Sequence, residues 1–296
     1  MRWTHARAVW TMVAVTAMWS IAGVVTRHLD SAHSFEVTFW RSLFTMLSLL
    51  VILPIIQGRG VFSRLFFGPR VVWASGVCWA VMFTSFMMAL TQARVAEVLV
   101  IMSIGPLLSA LLARIFLKHR IAVVTWLAIA VAGAGMAWMF SDPADAAQHG
   151  AYLGVLIALL VPSSAAINWT LMQNAQQHGQ SVDLVPAVWV GALLSAAWTL
   201  PMAWPLQAST HDVAWLSLLG LVQLAIPCVL LVMCARILSA PEISLLALLE
   251  VLFGTLLAWW GADEAPSPRV ISGGALVLLA LLVNVWWTER QNLQKD

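Results

Sequence analysis

The stretch EISLLALLEVLFGTLLAWWGADE, residues 242–264, is apolar between its acidic ends except for one carboxylate, that of Glu250. A run of about 20 apolar residues is the length that crosses the hydrocarbon core of a bilayer as a helix. A charged side chain inside such a helix is costly, so it needs a partner or a function there. The stretch therefore predicts a transmembrane helix that carries one ionisable group.

The composition extends this interpretation to the whole chain. Of the 296 residues, 61% are hydrophobic and only 9% are charged, whereas soluble domains carry about 25% charged residues. So few charges do not cover a water-exposed surface, and membrane lipid is the predicted surrounding. The net charge of +2, without a long cluster of Lys and Arg, gives no sign of a nucleic-acid partner. The three cysteines all lie in apolar runs and are predicted to be core residues.

Ten apolar runs of spanning length follow one another along the chain. They are continuous and about twice as long as the strands of a membrane barrel, which favours helices. The basic start followed by a long apolar run predicts a retained first helix rather than a cleaved signal. The sequence thus predicts an all-α integral membrane protein with ten transmembrane helices. The predicted spans are 8–26, 36–56, 71–91, 95–117, 121–140, 151–173, 184–204, 213–236, 242–261 and 270–288.

Lys and Arg are divided unequally between alternate loops. Eleven lie on one side of the predicted spans and three on the other. Cytoplasmic loops carry the excess of basic residues, so both termini are predicted to be cytoplasmic. The eleven are Arg2, Arg7, Arg59, Arg64, Arg70, Arg114, Lys118, Arg120, Arg236, Arg290 and Lys295; the three are Arg27, Arg94 and Arg269.

The two halves of the chain resemble each other. A shift of 145 residues lays 95–116 over 240–261 without a gap and brings Glu97 onto Glu242. We therefore predict a five-helix repeat over 1–140, a polar linker at 141–150 and a second five-helix repeat over 151–296. Because five is odd, the second repeat enters the membrane from the opposite side, which is a transporter design with the substrate site near the midplane.

Four segments carry a resemblance to a known family. They are AMWS (17–20), FWRSL (39–43), SIGPLLSALLARIFLKHR (103–120) and LLEVLFGTLLAWWGADE (248–264). With them the chain resembles the drug/metabolite transporter superfamily, in its ten-helix EamA-type branch, and is similar to bacterial aromatic amino-acid exporters. The resemblance implies a bacterial inner-membrane protein that exports amino acids or related metabolites.

The family motifs are present in broken form. The family often has Glu-Pro inside its fourth and ninth helices and Gly-Glu just past their ends. The first half keeps Gly105 and Pro106 without the Glu, and the second keeps Glu250 followed by Val251. Glu264 stands where the second family glutamate would stand.

The two charges inside spans each allow two interpretations. Glu250 either binds substrate or carries a proton, or it hydrogen-bonds a neighbouring helix and fixes its packing. Arg41 either snorkels to the headgroups or makes a structural pair, or it binds a substrate carboxylate.

Aromatic and amide side chains well inside spans complete the candidate site. Rings there either line a cavity for a flat or apolar solute or pack helices together. The predicted substrate-binding residues are Trp19, Trp79, Phe83, Asn168, Trp169, Gln223 and Glu250.

No sequence motif indicates an enzyme, a cofactor or a metal site. The chain has no histidine pair at metal spacing, no G-x-S-x-G and no nucleotide-binding loop. The sequence therefore predicts a secondary transporter that takes a small-molecule substrate. Two alternatives stay open: an exporter of organic cations with the same fold, whose rings would attract the cation, and a non-transporting structural subunit of a membrane complex.

Overall fold

A computed structural model of the chain describes residues 4–32, 34–66, 69–116, 122–139, 151–177, 185–234, 237–238, 243 and 246–293. Helices dominate this part of the chain, which contains no strand. The helices are α1 (His5–Arg27), α2 (Ser34–Gln57), α3 (Val61–Phe66), α4 (Arg70–Gln92), α5 (Val95–Met102), α6 (Gly105–Phe116), α7 (Val123–Met139), α8 (Ala151–Gln177), α9 (Val185–Ala203), α10 (Thr210–Leu218), α11 (Ile226–Cys234), α12 (Leu249–Ala262) and α13 (Pro268–Leu293). A π-helical segment, Leu219–Ala225, joins α10 to α11.

Seven of the described helical segments are long and apolar enough to cross a membrane, and three further apolar helices are shorter. Each coincides with one of the predicted spans. The fourth predicted span is divided into α5 and α6 by a turn at residues 103–104, and the eighth is α10, the π-helical segment and α11 in series. The predicted linker at 141–150 lies outside the described residues.

Helix ends follow recognisable local sequences. Ser209 and Asp212 form a capping box at the start of α10, in which each side chain pairs with the other residue's backbone N–H. At the end of α12, Asp263 adopts the left-handed conformation with φ 52°, and the Glu264 N–H donates to Ala258 O at 3.1 Å. This cap turns the chain sharply and directs the Glu264 side chain back toward α1.

The most extensive helix contacts join the first half of the chain to the second. They pair α4 with α8, α2 and α4 with α9, α7 with α13, and α1 with α12. The halves are therefore interleaved, and the interior of the protein is built from both.

Contacts along these pairs give their directions. On α1 and α12, Val24 packs against Gly261 and Ser20 lies beside Gly254, so the two helices run parallel. α7 and α13 run antiparallel, because Gly135 packs on Gly273 and Trp138 Nε1 donates to Ser272 Oγ at 3.0 Å.

The helices α4 and α9 are parallel neighbours. Gly76 packs on Val190 near their starts, and Thr84 and Ser195 are joined by a 3.0 Å hydrogen bond further along. Ser195 also bonds Ser42 of α2 at 2.9 Å, so three buried hydroxyls tie three helices together. Buried polar groups that satisfy one another fix the relative positions of helices that apolar contacts alone would let slide.

Candidate functional site

Arg41 of α2 lies at the centre of the interior and is 0% exposed. Its Nη1 donates to Gln223 Oε1 at 3.1 Å and its Nη2 donates to the backbone oxygen of Phe83 at 2.8 Å. The guanidinium carbon lies 5.9 Å from the centre of the Phe83 ring and 5.5 Å from that of Phe86. Arg41 therefore does not snorkel to the headgroups; it pairs with neutral groups inside the protein.

The π-helical segment brings Gln223 to Arg41. Gly220 in this segment packs directly on α2, where the Thr45 hydroxyl donates to Gly220 O at 3.1 Å. A methyl group at Gly220 would stand 2.8 Å from both Arg41 O and Thr45 N, so only glycine permits the approach. π-helical turns are frequent at functional sites because the extra residue re-aims side chains.

Four of the predicted substrate-binding residues meet around Arg41. The Gln223 amide donates to the backbone oxygen of Trp19 at 3.5 Å, and the rings of Trp79 and Phe83 are 5.4 Å apart. Trp79 is half-buried, yet its indole Nε1 is buried without a hydrogen-bond partner. The sequence therefore indicated these four residues but not Arg41, around which they meet. The signal for Arg41 was its charge within a predicted span.

Asn168 and Trp169 are adjacent on α8 but face different surroundings. Asn168 is 2% exposed and its Oδ1 has no partner. The start of α8 meets the end of α4, where Gly154 packs on Ala93, so these helices are antiparallel. Fourteen residues further along α8, Asn168 lies at about the level of Trp79.

Trp169 is 43% exposed but does not lie on the outer face of its helix. Leu160, which is 48% exposed, lies on the outer face of α8. It precedes Trp169 by nine residues, or about two and a half helical turns, which puts the two side chains on opposite faces. Trp169 therefore points to the opposite side of α8 from the outside of the bundle. Its exposed surface opens toward the inner face of the helix.

Glu250 has the same placement on α12. It is half-buried, and Trp259, nine residues later, is 48% exposed on the outer face. Among the described residues its carboxylate makes no hydrogen bond or ion pair; only its backbone oxygen accepts, from Ser20 Oγ at 3.3 Å. The close packing of α12 comes instead from Gly254, against Leu99, and from Gly261.

Two carboxylates that sequence reasoning missed hold one end of the bundle together. Asp212, fully buried, accepts from the backbone N–H groups of Asp30, Ser31 and Ala32 at 2.8–3.1 Å. Glu36, also fully buried, accepts from Gln207 N and Ala208 N at 2.8–3.0 Å. Asp212 of α10 thus binds the loop that precedes α2, and Glu36 of α2 binds the loop that precedes α10. The capping-box sequence at 209–212 was the available signal for Asp212.

A third link at this end is the ion pair of Arg27 with Glu264, whose Nε and Oε2 are 2.7 Å apart. Arg27 also donates to the backbone oxygens of Leu90 and Ala93, and Glu264 Oε1 accepts from Val95 N at 2.6 Å. The ion pair fixes the end of α1 to the loop between α4 and α5 and to the loop after α12. We call the three links made by Asp212, by Glu36 and by this ion pair the clasped end.

One group of described residues has metal-ligand spacing: atoms of Asp30, His211 and Asp212 lie within 4.8 Å of one another. The Asp212 carboxylate is already used by the N–H groups of the neighbouring loop. His211 Nε2 accepts from Trp215 Nε1 at 3.0 Å, which leaves Nδ1 to pair with Asp30 at 3.2 Å. The arrangement is therefore a hydrogen-bonded part of the clasped end.

Comparison with known proteins gives matches over most of the chain. The model of the EamA-like transporter family matches residues 6–141 and again residues 152–286. The chain is also similar to a protein of known crystal structure, with 18% sequence identity and a TM-score of 0.62. The match covers 95% of this chain and 98% of the other chain. This likeness supports the fold. No curated protein matches the sequence.

Proposed function

Because the chain belongs to the EamA-like transporter family, we propose that it is a secondary transporter that exports small metabolites, above all amino acids, including aromatic and other apolar ones. The solute moves through a central cavity by alternating access. One observation carries the proposal: both halves build one interior cluster, in which Arg41 and Phe83 of the first half meet Gln223 of the second. Inverted-repeat transporters bind their solutes at such a junction.

The helix directions support ten spans in two inverted repeats, over 1–140 and 151–296. If ten spans alternate in direction, the first and ninth run the same way, and so do the third and seventh, whereas the fifth and tenth oppose each other. The pairs α1 with α12, α4 with α9 and α7 with α13 follow this rule. Together with the distribution of basic residues, this favours cytoplasmic termini. The bacterial inner membrane is proposed from the family resemblance alone.

The predicted site residues take different roles in this proposal. The rings of Trp19, Trp79, Phe83 and Trp169 contact the side chain of the solute, and the amides of Asn168 and Gln223 contact its polar end. Glu250, which has no partner among the described residues, holds a proton or the solute's ammonium group.

Export of organic cations is the second candidate. The inward-facing carboxylate of Glu250 and the neighbouring rings favour it, because both attract a cation. The buried guanidinium of Arg41 opposes it, since a like charge in a poorly screened interior repels.

Flux from proteoliposomes tests the proposal. With a pH gradient and without one, we expect efflux of L-phenylalanine that exceeds that of tetraphenylphosphonium. Trp79→Ala and Trp169→Ala should lower phenylalanine flux more than alanine flux, because a stacked ring contributes about 0.5–1.5 kcal/mol, or roughly two- to twelvefold. Equal losses for both amino acids, in protein that still folds, would show that these rings only pack helices.

A further inference from the structure

We propose that Arg41 is the binding site for the carboxylate of the transported solute, so that this protein selects carboxylates over amines of the same shape. The inference rests on the proposed function and narrows its substrate class.

The guanidinium of Arg41 carries a charge that the described residues do not compensate. None of their ion pairs includes Arg41, and its two hydrogen-bond acceptors, Gln223 Oε1 and Phe83 O, are neutral. Burying a cation without an anionic partner is costly, and in a membrane interior such a group marks a solute or ion site. A carboxylate from a solute would supply the missing charge.

The unused hydrogen-bonding atoms fit the two ends of an amino acid. Arg41 Nε and Trp79 Nε1 are buried donors that find no acceptor among the described residues, and a carboxylate has two oxygens that accept from such donors. Asn168 Oδ1 is a buried acceptor without a donor, which suits an ammonium group. Buried polar atoms left unpartnered are rare in native proteins, and the two donors, on Arg41 and on Trp79 beside Phe83, point to a ligand.

The present partner of Arg41 is suited to be displaced. The carboxamide oxygen of Gln223 stands where one oxygen of a bound carboxylate would stand, 3.1 Å from Nη1. Among the described residues, the amide nitrogen of Gln223 is held only by a 3.5 Å contact with Trp19 O. Because Gln223 lies in the π-helical segment, a local shift to regular α-helix would re-aim its side chain.

Aromatic residues that are only half-buried lie next to the hydrogen-bond partners of Arg41. Trp79 stacks beside Phe83, whose ring lies over the guanidinium, and Trp79 is less buried than Phe83. Trp19, on the other side of Gln223, is also half-buried. A solute with an aromatic side chain would lie against these rings with its carboxylate toward Arg41.

Three probes of one shape test the assignment: L-phenylalanine, 3-phenylpropionate, which lacks the amine, and phenethylamine, which lacks the carboxylate. Binding to the full chain in nanodiscs is measured by titration calorimetry. We expect both carboxylates to bind and phenethylamine to bind at least about tenfold more weakly, as the loss of one charged hydrogen bond predicts.

Two variants address Arg41 directly, and a third is their control. Gln223→Glu places a carboxylate of the same shape beside Arg41, so it should compete with solutes and weaken both carboxylates by at least about thirtyfold. Arg41→Lys keeps the charge but loses the planar donor pair and should weaken them by about tenfold. Ser42→Ala breaks a buried hydrogen bond one residue away and should leave the preference among probes unchanged.

The outcomes separate this inference from the proposed function. Equal binding of phenethylamine and L-phenylalanine, or unchanged binding of 3-phenylpropionate by a folded Gln223→Glu protein, overturns the carboxylate site. If L-phenylalanine is transported but Arg41→Lys does not affect it, amino-acid export stands and the assignment of Arg41 falls. If only 3-phenylpropionate binds, through Arg41, the carboxylate site stands and amino-acid export falls. Failure of all three probes to bind overturns both.

Discussion

Arg27, which is partly buried, and Arg41, which is fully buried, both donate to backbone carbonyls, but they differ in their charged partners. Arg27 meets the Glu264 carboxylate at 2.7 Å and donates to two carbonyl oxygens, so its cation is neutralised and its donors are used. Arg41 is more deeply buried, and in the described part of the chain it meets only an amide and one carbonyl, while its Nε has no partner there.

The difference assigns Arg27 to the structure and leaves Arg41 for the carboxylate site that we propose. At the clasped end, every buried carboxylate that we describe accepts from backbone N–H groups or from Arg27, so the loops are fixed by complete sets of hydrogen bonds. Around Arg41 the set is incomplete, which costs stability unless something else binds there.

Removing the cation at the clasped end should have the largest effect. Arg27→Met leaves the Glu264 carboxylate without its ion-pair partner, and we expect a loss of about 2–4 kcal/mol in the free energy of unfolding. Thermal unfolding in detergent measures it. The control is Arg64→Met: Arg64 is exposed and only donates to Gln57 O, so the change should be below about 0.5 kcal/mol. Similar losses for both would mean that the ion pair is not what fixes this end.

Crowding the contact between α2 and the π-helical segment should come next. Gly220→Ala puts a methyl group against Phe44 and the backbone of Arg41, and we expect it to cost about 1–3 kcal/mol. The matched control is Gly133→Ala, where nothing lies within 4 Å, and a gain of about 0.5–1 kcal/mol is expected from better helix propensity. A stable Gly220→Ala protein would contradict the close approach that carries Gln223 to Arg41.

Removing the unpaired cation should matter much less than removing the paired one. Arg41→Met loses two hydrogen bonds but also removes an uncompensated buried charge, so we expect the stability to change by no more than about 1 kcal/mol. Thermal unfolding without added solute is the measurement. A loss as large as that of Arg27→Met would mean that the Arg41 guanidinium is also structural.

The smallest effect is expected at the cap of α12. Asp263 holds a left-handed conformation that glycine adopts without strain, so Asp263→Gly should raise stability by at most about 0.5 kcal/mol. Gly58 also has a positive φ, 85°, so Gly58→Ala should lower the stability by about 1 kcal/mol. If Asp263→Gly were destabilising, the Asp263 side chain would be contributing more than its backbone conformation.

Much of the fold could be predicted because each helix is encoded locally. Apolar runs of bilayer length leave a backbone in lipid no alternative to the helix, and every predicted span corresponds to a described helix or set of helices. The division of the eighth span by a π-helical segment could not be predicted, since the sequence there is apolar and continuous, and the extra residue is accommodated only because Gly220 meets α2.

The candidate site was predicted in part for the same reason. A polar side chain inside a span stands out in the sequence because its transfer into lipid costs free energy. Gln223 was selected on that basis, and Trp19, Trp79 and Phe83 were selected as aromatic rings within spans. The sequence could not distinguish Asn168, which is buried, from Trp169 beside it, which is 43% exposed on an inner face. Burial depends on how α8 meets α4, and that contact joins residues distant in the chain.

By itself, the sequence determined that the chain is a bundle of apolar helices, that its halves are similar and that two charges lie within spans. Those properties depend on residue type and spacing, which act locally in a bilayer. Only the tertiary structure decided which charge has a partner: Glu264 reaches Arg27 across 237 positions, whereas Arg41 reaches Gln223 across 182 and meets an amide instead of a carboxylate. Electrostatic pairing is set by distances of a few ångströms between remote segments, and only the packed helices fix those distances.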